Sequence, residues 1–442
     1  MLHGNIFIGA NKMTATIIVC AATLIALTSS ILFFPSVKVG KIKLDTYWAV
    51  AVLGAVALLI LGLLPTDVLW TELTASSEIN PLKILALFFS MTVLSVFLDE
   101  VGFFRYLAKY AVKIAKNTQL SLFVILYALT AILTVFTSND IVILTLTPFI
   151  CFFCKNTEIN PLPYLVSEFA AANTWSMMLI IGNPTNIYLA TSAGVSFTEY
   201  FSVMALPTVA AGLLELLFII LIFKKQLRTP LKKHKDDFEI KSRLDLWVGL
   251  VHLAICLVFL VISGYISIPM WKISTACAVS LLIITMILHT IMGRKNGYIV
   301  NSVKRLPWQL IPFVLSMFVI VICMNFNGVT EKIGAALGGK NIILTYGISS
   351  YLASNLINNI PMSILFSKVS VSVGMSAVYA TVVGSNIGAF LTPIGALAGI
   401  MFTGLTREHG VKYSFSEFMK YGIIISLPTI LCALSVLMIV LK

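Results

Sequence analysis

The chain has 442 residues, of which 59% are hydrophobic and 11% charged, and a formal net charge of +12. Soluble globular domains carry about 25% charged residues, so this composition excludes one; apolar runs of about 20 residues recur from end to end and predict a polytopic helical membrane protein. The short alternating segments of a β-barrel are absent, and the basic surplus lies in short loops, which is the positive-inside pattern and does not imply nucleic acid.

The first apolar stretch, 14–34, is too long for the core of a signal peptide and lacks a small-x-small cleavage site, so it predicts a retained helix. Lys38, Lys41 and Lys43 place the next loop in the cytoplasm and the N-terminus outside. Segment 46–65 crosses outward to a loop with Asp67, Glu72 and Glu78, and segment 82–98 returns to Asp99-Glu100. In 101–116, Phe103, Phe104, Leu107, Ala108, Ala111 and Ile114 alternate with Arg105, Lys109, Lys113 and Lys116 at helical spacing, as in an amphipathic helix of the cytoplasmic interface. Segments 120–136 and 141–153 flank Ser138-Asn139-Asp140. Read as a re-entrant hairpin open to the cytoplasm, they put Lys155 inside, let 164–192 cross outward and leave Glu199 outside. Segment 201–223 then returns to the most basic loop, which holds Lys224, Lys225, Arg228, Lys232, Lys233, Lys235, Lys241 and Arg243.

Helices 246–266 and 273–292 form a pair between basic loops, the second loop holding Arg294, Lys295, Lys304 and Arg305. Segment 309–325 crosses outward, an amphiphilic piece 328–339 follows, and a hairpin broken at Asn358-Asn359 enters from the outer face. Segment 377–403 crosses inward to Arg407, Lys412 and Lys420, and 421–441 ends outside. The predicted fold is an all-α membrane protein, an inverted-repeat secondary transporter with about ten transmembrane helices and two re-entrant hairpins. Its parts are an N-terminal helix and cytoplasmic loop, 1–45; a first repeat, 46–223; a basic linker, 224–245; and an extra helix with the second repeat, 246–442. A multi-pass protein of the cell (inner) membrane with both termini extracytoplasmic follows from the charges.

The repeat rests on echoes in one order. Val101-Gly102-Phe103-Phe104 is echoed by Asn327-Gly328-Val329-Thr330, Lys116-Asn117 by Lys340-Asn341, and Asn139-Asp140 by Asn358-Asn359. Gly182-Asn183-Pro184-Thr185-Asn186 falls where Leu391-Thr392-Pro393-Ile394-Gly395 falls. Phe197-Thr198-Glu199 with Leu206-Pro207-Thr208 is echoed by Phe415-Ser416-Glu417 with Leu427-Pro428-Thr429.

Four polar breaks are expected to converge on a substrate or ion site: Ser138, Asn139 and Asp140; Asn183, Thr185 and Asn186; Asn358 and Asn359; and Ser385 and Asn386 with Thr392. Gly182, Pro184, Gly384, Pro393 and Gly395 interrupt the helices, so that free carbonyls and helix ends can face an ion. Gly384-x-x-x-Gly388 and Gly395-x-x-x-Gly399 also have the spacing of close helix packing. A carboxylate at bilayer depth costs about 2.5–3.5 kcal/mol even on the lenient insertion scale, which makes Asp140 the candidate proton carrier. Its competing reading is a cap on the hairpin's second helix. Glu168 reads as near a helix start, Glu215 as mid-helix without polar neighbours, and Lys368 as a side chain that snorkels to the interface. Sodium is a candidate at Asn139, Asp140 and Asn358. No catalytic residue and no cofactor is predicted beyond a coupling ion, H+ or Na+. The chain has no phosphate-binding Gly-x4-Gly-Lys-Ser/Thr loop and no His-Glu-x-x-His, and Cys151-x-x-Cys154 lacks the second pair a zinc site needs. A channel is the alternative to a carrier.

The sequence resembles the arsenite permease and sodium/proton antiporter (ArsB/NhaD) branch of the ion transporter superfamily. The residues are Leu98-Asp99-Glu100-Val101-Gly102-Phe103-Phe104, Ser138-Asn139-Asp140 with Leu146-Thr147-Pro148, Phe197-Thr198-Glu199-Tyr200, Pro307-Trp308-Gln309, Asn358-Asn359-Ile360-Pro361 and Thr392-Pro393-Ile394-Gly395. The resemblance spans roughly residues 45 to 440. It implies export of a metalloid or anion, arsenite- or antimonite-like, coupled to protons. It also implies a homodimer with scaffold and transport domains, an elevator-like movement, and a separate ATPase subunit as a partner. A sodium-coupled anion symporter of the dicarboxylate kind and a sodium/proton antiporter are the alternatives within the superfamily. Arsenite permeases carry Asp where this chain has Asn173 and Asn386, and they lack a Gly-Asn-Pro-Thr-Asn break, so coupling here rests largely on Asp140.

Overall fold

A computed structural model describes residues 2–34, 36–39, 42–75, 80–115, 118–231, 241–294, 297–339 and 341–442. Lys41, Glu78, Lys116, Asn117, Lys232, Lys233, Lys235, Lys295 and Lys340, used above for topology and repeat, lie outside them. Among the described residues the fold is helical apart from one small β-hairpin. The first helix, Leu2–Phe33, is followed by strands Ser36–Val39 and Ile42–Asp45, paired antiparallel with Ser36 opposite Asp45. The period-2 run Val37-Lys38-Val39 and Ile42-Lys43-Leu44 around Gly40 carries that signal; read for charge alone, the stretch passes as a plain loop.

Eight helices among the described residues are long and apolar enough to cross a membrane, or nine if Leu310–Phe326 and Val329–Ala336, bent by 79°, count as one. Several predicted crossings are shorter or divided. Segment 46–65 is the 14-residue helix Tyr47–Ile60, followed by Thr66–Thr74. Segments 164–192 and 377–403 are each two helices with a break. The first hairpin has arms of 18 and 19 residues, Gln119–Phe136 and Asn139–Thr157; the second has arms of 16 and 13, Ile342–Ile357 and Asn359–Val371.

The order of elements from residue 81 recurs from residue 310. Pro81–Val101 turns into amphipathic Phe103–Ile114 through Gly102 at φ 94°, and Leu310–Phe326 turns into Val329–Ala336 through Gly328 at φ 74°. Both glycines occupy the left-handed region that side chains resist. A hairpin follows in each half, then a divided helix, then a long helix with an internal proline: Phe197–Ile222 with Pro207, and Phe415–Val440 with Pro428. Each long helix opens with a serine whose hydroxyl accepts from the backbone N–H of a glutamate three residues on, Ser196 with Glu199 and Ser414 with Glu417, both at 3.2 Å.

Packing between the halves is reciprocal. Asn139–Thr157 lies against Leu397–Glu408 of the other half, and Asn359–Val371 lies against Pro184–Ser192. The two long last helices pack on each other. Outside this arrangement, Arg243–Ile266 and Met270–Ile291 pack together and on Pro81–Val101, and Tyr47–Ile60 packs on Leu310–Phe326. The outer pair exposes Trp247, Val258, Phe259, Ile283 and Ile287, as an apolar solvent allows; the interior holds the polar breaks.

Candidate functional site

Leu162–Trp175 stops at two 3-10 turns, Ser176–Met178 and Ile180–Gly182, and the chain becomes helical again at Pro184–Ser192. Asn183 makes the restart possible. Its backbone is extended, Pro184 occupies the first helical position, and Asn183 Oδ1 accepts from Thr185 N and Thr185 Oγ1, both at 3.1 Å.

Asn386, on the last turn of Met375–Gly388, ties this break to the other half. Its Oδ1 accepts from Asn183 Nδ2 and Ser176 Oγ, each at 2.9 Å. Its Nδ2 donates to Asn186 Oδ1 at 2.7 Å and to Val382 O at 2.8 Å. Ser385 Oγ donates to Thr185 Oγ1 at 3.2 Å. Asn183, Thr185, Asn186, Ser385 and Asn386 therefore converge as expected, all buried.

The second hairpin tip packs on the second break, between Met375–Gly388 and Leu397–Glu408. Asn358 Nδ2 donates to Ile394 O at 3.0 Å, its Oδ1 accepts from Ile360 N at 3.3 Å, and Asn359 N donates to Gly395 O at 2.9 Å. Thr392 N and Oγ1 donate to Asn355 Oδ1 at 3.1 and 2.7 Å. The Asn358 side chain and the Asn359 backbone N–H at this tip are engaged with the break beside it. Asn358 holds φ 71°, ψ 151°, a conformation that is essentially glycine's own.

The first tip differs. Ser138 opens the helix Asn139–Thr157 without a side-chain cap bond. Asn139 Nδ2 donates to Asn173 Oδ1 at 3.2 Å, but Asn139 Oδ1 and Ser138 Oγ are buried without a partner among the described residues. Asp140 is half-buried, in the helix's first turn, and with Ser138 it lines a cavity of about 1310 Å³ that also touches Pro393 and Ile394. Lys304, Arg305, Arg407 and Lys412 lie on the same cavity wall. Buried polar atoms are almost always satisfied, and leaving one unpaired costs about 1–3 kcal/mol. Two such atoms beside a carboxylate at the end of a cavity form a place for a hydroxylated or ionic solute.

Several sequence expectations are revised. Gly384 does not interrupt a helix: it lies within Met375–Gly388, where a Cβ would stand 2.0 Å from Ser350 Oγ and 2.3 Å from Gly347 O. Packing, and not a break, asks for it. Asn358 does not join Asn139 and Asp140 in one cation site, because its side chain is bound to Ile394 and Ile360. Glu168 sits inside its helix and not near the start, and both its oxygens accept from Thr147 Oγ1, at 3.0 and 2.9 Å. Glu215 is not without polar neighbours, since it meets Tyr127 and Thr174. Lys368 pairs with Glu72 at 3.6 Å. Among the described residues no group of three or more His, Cys, Asp or Glu could hold a metal.

Sequence reasoning passed over Asn173, Ser176 and Asn355 as members of the site. A signal for Asn173 was present: it stands eleven residues after the start of Leu162–Trp175, as Asn386 stands after the start of Met375–Gly388. Asn355 opens the polar run 355–361 that ends at Pro361, whereas Ser176 carried no signal, because its importance lies in what the folded break brings beside it.

The model of the citrate transporter family CitMHS matches residues 45–378. Curated relatives include the arsenical pump membrane protein of Escherichia coli K12, 29% identical over 420 residues and covering 88% of this chain and 92% of that one. The arsenical pump membrane protein of Yersinia enterocolitica is 28% identical over 382 residues, covering 80% and 85%. An uncharacterized transporter of Mycobacterium tuberculosis is 24% identical, covering 78% and 82%. Among solved structures, the YdaH transporter of Alcanivorax borkumensis superposes with a TM-score of 0.58 at 14% identity, over 97% of this chain and 98% of that one, a likeness of fold. The chain belongs to the citrate transporter family and is a multi-pass membrane transporter.

Proposed function

We propose that this member of the citrate transporter family is a secondary active transporter of the arsenite-permease type, which moves a metalloid or small anion, arsenite- or antimonite-like, in exchange for protons. The observation that carries this is the contrast between the two hairpin tips: in one, the Asn358 side chain is bound to Ile394 O and Ile360 N, while the other presents Ser138 and Asp140 to a large cavity, with Ser138 Oγ and Asn139 Oδ1 unpaired among the described residues. Solute binds beside Ser138, Asn139 and Asp140, and Asp140 carries the coupling proton. The amide cluster around Asn386 is the joint on which the two divided helices meet. Four basic residues on the cavity wall support a mouth in the cytoplasm and a conformation open inward. The reciprocal packing of the halves supports an inverted repeat and alternating access by movement of the tips against the scaffold helices. Residence in the cell membrane with both termini outside, a homodimer, and association with an ATPase subunit belong to the same reading.

A sodium-coupled anion symporter is the second reading. It is favoured by the family's citrate description and by a site of amides and hydroxyls, with sodium at Asn139 and Asp140. Flux into proteoliposomes under imposed gradients separates the two. Uptake of arsenite, antimonite and citrate is followed with a proton gradient alone and then with a sodium gradient alone. The proton reading predicts metalloid movement that follows the proton gradient; movement that ignores protons and follows sodium would overturn it.

A further inference from the structure

A fully buried acid lies behind the joint. Glu215 stands in the middle of Phe197–Ile222 with no exposed surface. Its Oε1 is 3.0 Å from Tyr127 Oη, and Thr174 Oγ1 donates to its Oε2. Tyr127 Oη is also 2.6 Å from Gly212 O and accepts from Trp175 Nε1 at 3.1 Å. Gly212 is what lets the indole approach, since a Cβ there would lie 2.6 Å from Trp175 Nε1.

The protons of this cluster can be counted. A phenol has one hydrogen to donate. The carbonyl of Gly212 can only accept, and it is the shorter contact, so the Tyr127 hydrogen lies on that line. The contact between Tyr127 Oη and Glu215 Oε1 then needs a hydrogen from the other side, from the carboxyl itself. Every atom is satisfied if Glu215 is a neutral acid, with Oε1–H donating to Tyr127 Oη and Oε2 accepting from Thr174. With an ionised Glu215, two oxygens would face each other at 2.6 or 3.0 Å with no hydrogen between them. Among the described residues no cation pairs with Glu215. Glu168 and Tyr164 on Leu162–Trp175, Glu417, Lys420, Tyr421 and Cys432 on Phe415–Val440, Arg243, Asp245, His252, Cys256 and Tyr265 on Arg243–Ile266, and Lys224 and Lys225 on Lys224–Leu227 are other titratable groups on the helices packed around it. None of them hydrogen-bonds to or pairs with Glu215. In the second half Tyr346 stands twelve residues before Asn358, as Tyr127 stands before Asn139. It is as buried, but its hydroxyl has no partner among the described residues. The acid is therefore particular to the first half and not a general need of the fold.

We infer that Glu215 is a second protonation site, separate from Asp140, whose neutral form clamps the helix break at Thr174, Trp175 and Ser176. The position supports it: Thr174 and Trp175 hold the cluster, while the flanking Asn173 and Ser176 bind Asn139 of the tip and Asn386 of the other half. Loss of the proton to entering water leaves a carboxylate that must draw hydrogens from Tyr127 and Thr174, which pulls Tyr127 off Gly212 and loosens the break. Release of the proton and movement of the break are thus one event. The role in coupling rests on the proton-driven reading above; the protonation state does not.

Infrared spectra of the purified, reconstituted protein near neutral pH test the protonation. The C=O band of a protonated carboxylic acid should be present, and Glu215→Gln, whose amide can donate to Tyr127 and accept from Thr174, should remove it. Spectra that do not differ overturn the assignment. Tyr127→Phe is a second measurement: the band should move to higher frequency as its hydrogen bond is lost, and an unmoved band refutes the contact. For coupling, Glu215→Gln should keep its thermal stability and its substrate exchange at equal pH but lose the acceleration by an imposed pH gradient. A gradient response equal to that of the unmodified protein overturns the coupling role. If the unmodified protein itself ignores the gradient while the band is present and removed by Glu215→Gln, the proton-driven reading fails and the protonated acid stands.

Discussion

Replacing Asn386 by leucine tests the joint between the two halves. The side chains have similar volume, so the change removes hydrogen bonds with little change in packing. Two buried atoms lose the partner the structure gives them: Asn183 Nδ2, which donates to Asn386 Oδ1 at 2.9 Å, and Asn186 Oδ1, which accepts from Asn386 Nδ2 at 2.7 Å. Ser176 Oγ keeps Asn173 O at 2.6 Å and is not orphaned. At about 1–3 kcal/mol for each unsatisfied buried group, the loss is about 2–6 kcal/mol. Thermal unfolding of the purified protein in detergent should show a fall in Tm on the order of 5 °C. Asn386→Asp adds a direction. Its oxygens can still accept from Ser176 and Asn183, but only the neutral acid can donate to Asn186 as the amide does. Stability of that variant should be near normal at low pH and decline as pH rises, because the folded state binds a proton that the unfolded chain releases. A Tm for Asn386→Leu within about 1 °C of the parent, or a pH profile for Asn386→Asp parallel to the parent's, would refute the reasoning.

Three further outcomes are expected. Asp140→Asn should leave folding intact and make transport insensitive to pH, read as flux against pH in proteoliposomes; if the pH profile persists, Asp140 is only a cap on Asn139–Thr157. Asn358→Ala should destabilise by about 1–3 kcal/mol, since alanine tolerates φ 71° poorly. Asn358→Gly should unfold at a higher temperature than Asn358→Ala although both lose the bond to Ile394 O. Gly384→Ala should lower Tm by the equivalent of about 1–3 kcal/mol through overpacking, because its Cβ would meet Gly347 O at 2.3 Å and a backbone carbonyl cannot swing aside; an unchanged Tm would return Gly384 to the role of a helix break.

Much of the site could be read from polar residues in apolar runs. Asn183, Thr185, Asn186, Ser385 and Asn386 were identified because amides and hydroxyls at bilayer depth are expensive unless they meet each other, and they do. Ser138, Asn139 and Asp140 were found by the same logic. The readings that moved depended on where backbone turns. Gly384 looks like part of a Gly-Ser-Asn break, but the helix continues to Gly388 and the glycine serves a neighbouring helix. Glu215 looks isolated in sequence because Tyr127 and Thr174 come to it from helices 88 and 41 residues away.

The sequence by itself determined that the chain lives in a membrane, that its basic loops alternate with apolar runs, and that its two halves repeat one order of motifs. Those properties are additive along the chain: each apolar residue and each loop lysine contributes without regard to its partners. Which tip keeps unpaired polar atoms was decided only by tertiary structure. Ser138-Asn139-Asp140 and Asn358-Asn359 read as near equals, the first distinguished by one acid. In the fold, the Asn358 side chain is bound to Ile394 O and Ile360 N and the Asn359 N–H to Gly395 O, whereas Ser138 Oγ and Asn139 Oδ1 have no partner among the described residues and Ser138 lines the cavity with Asp140. Hydrogen-bond satisfaction is a property of pairs, and the partners here lie on other helices, so no reading of one tip alone could tell which would be left open.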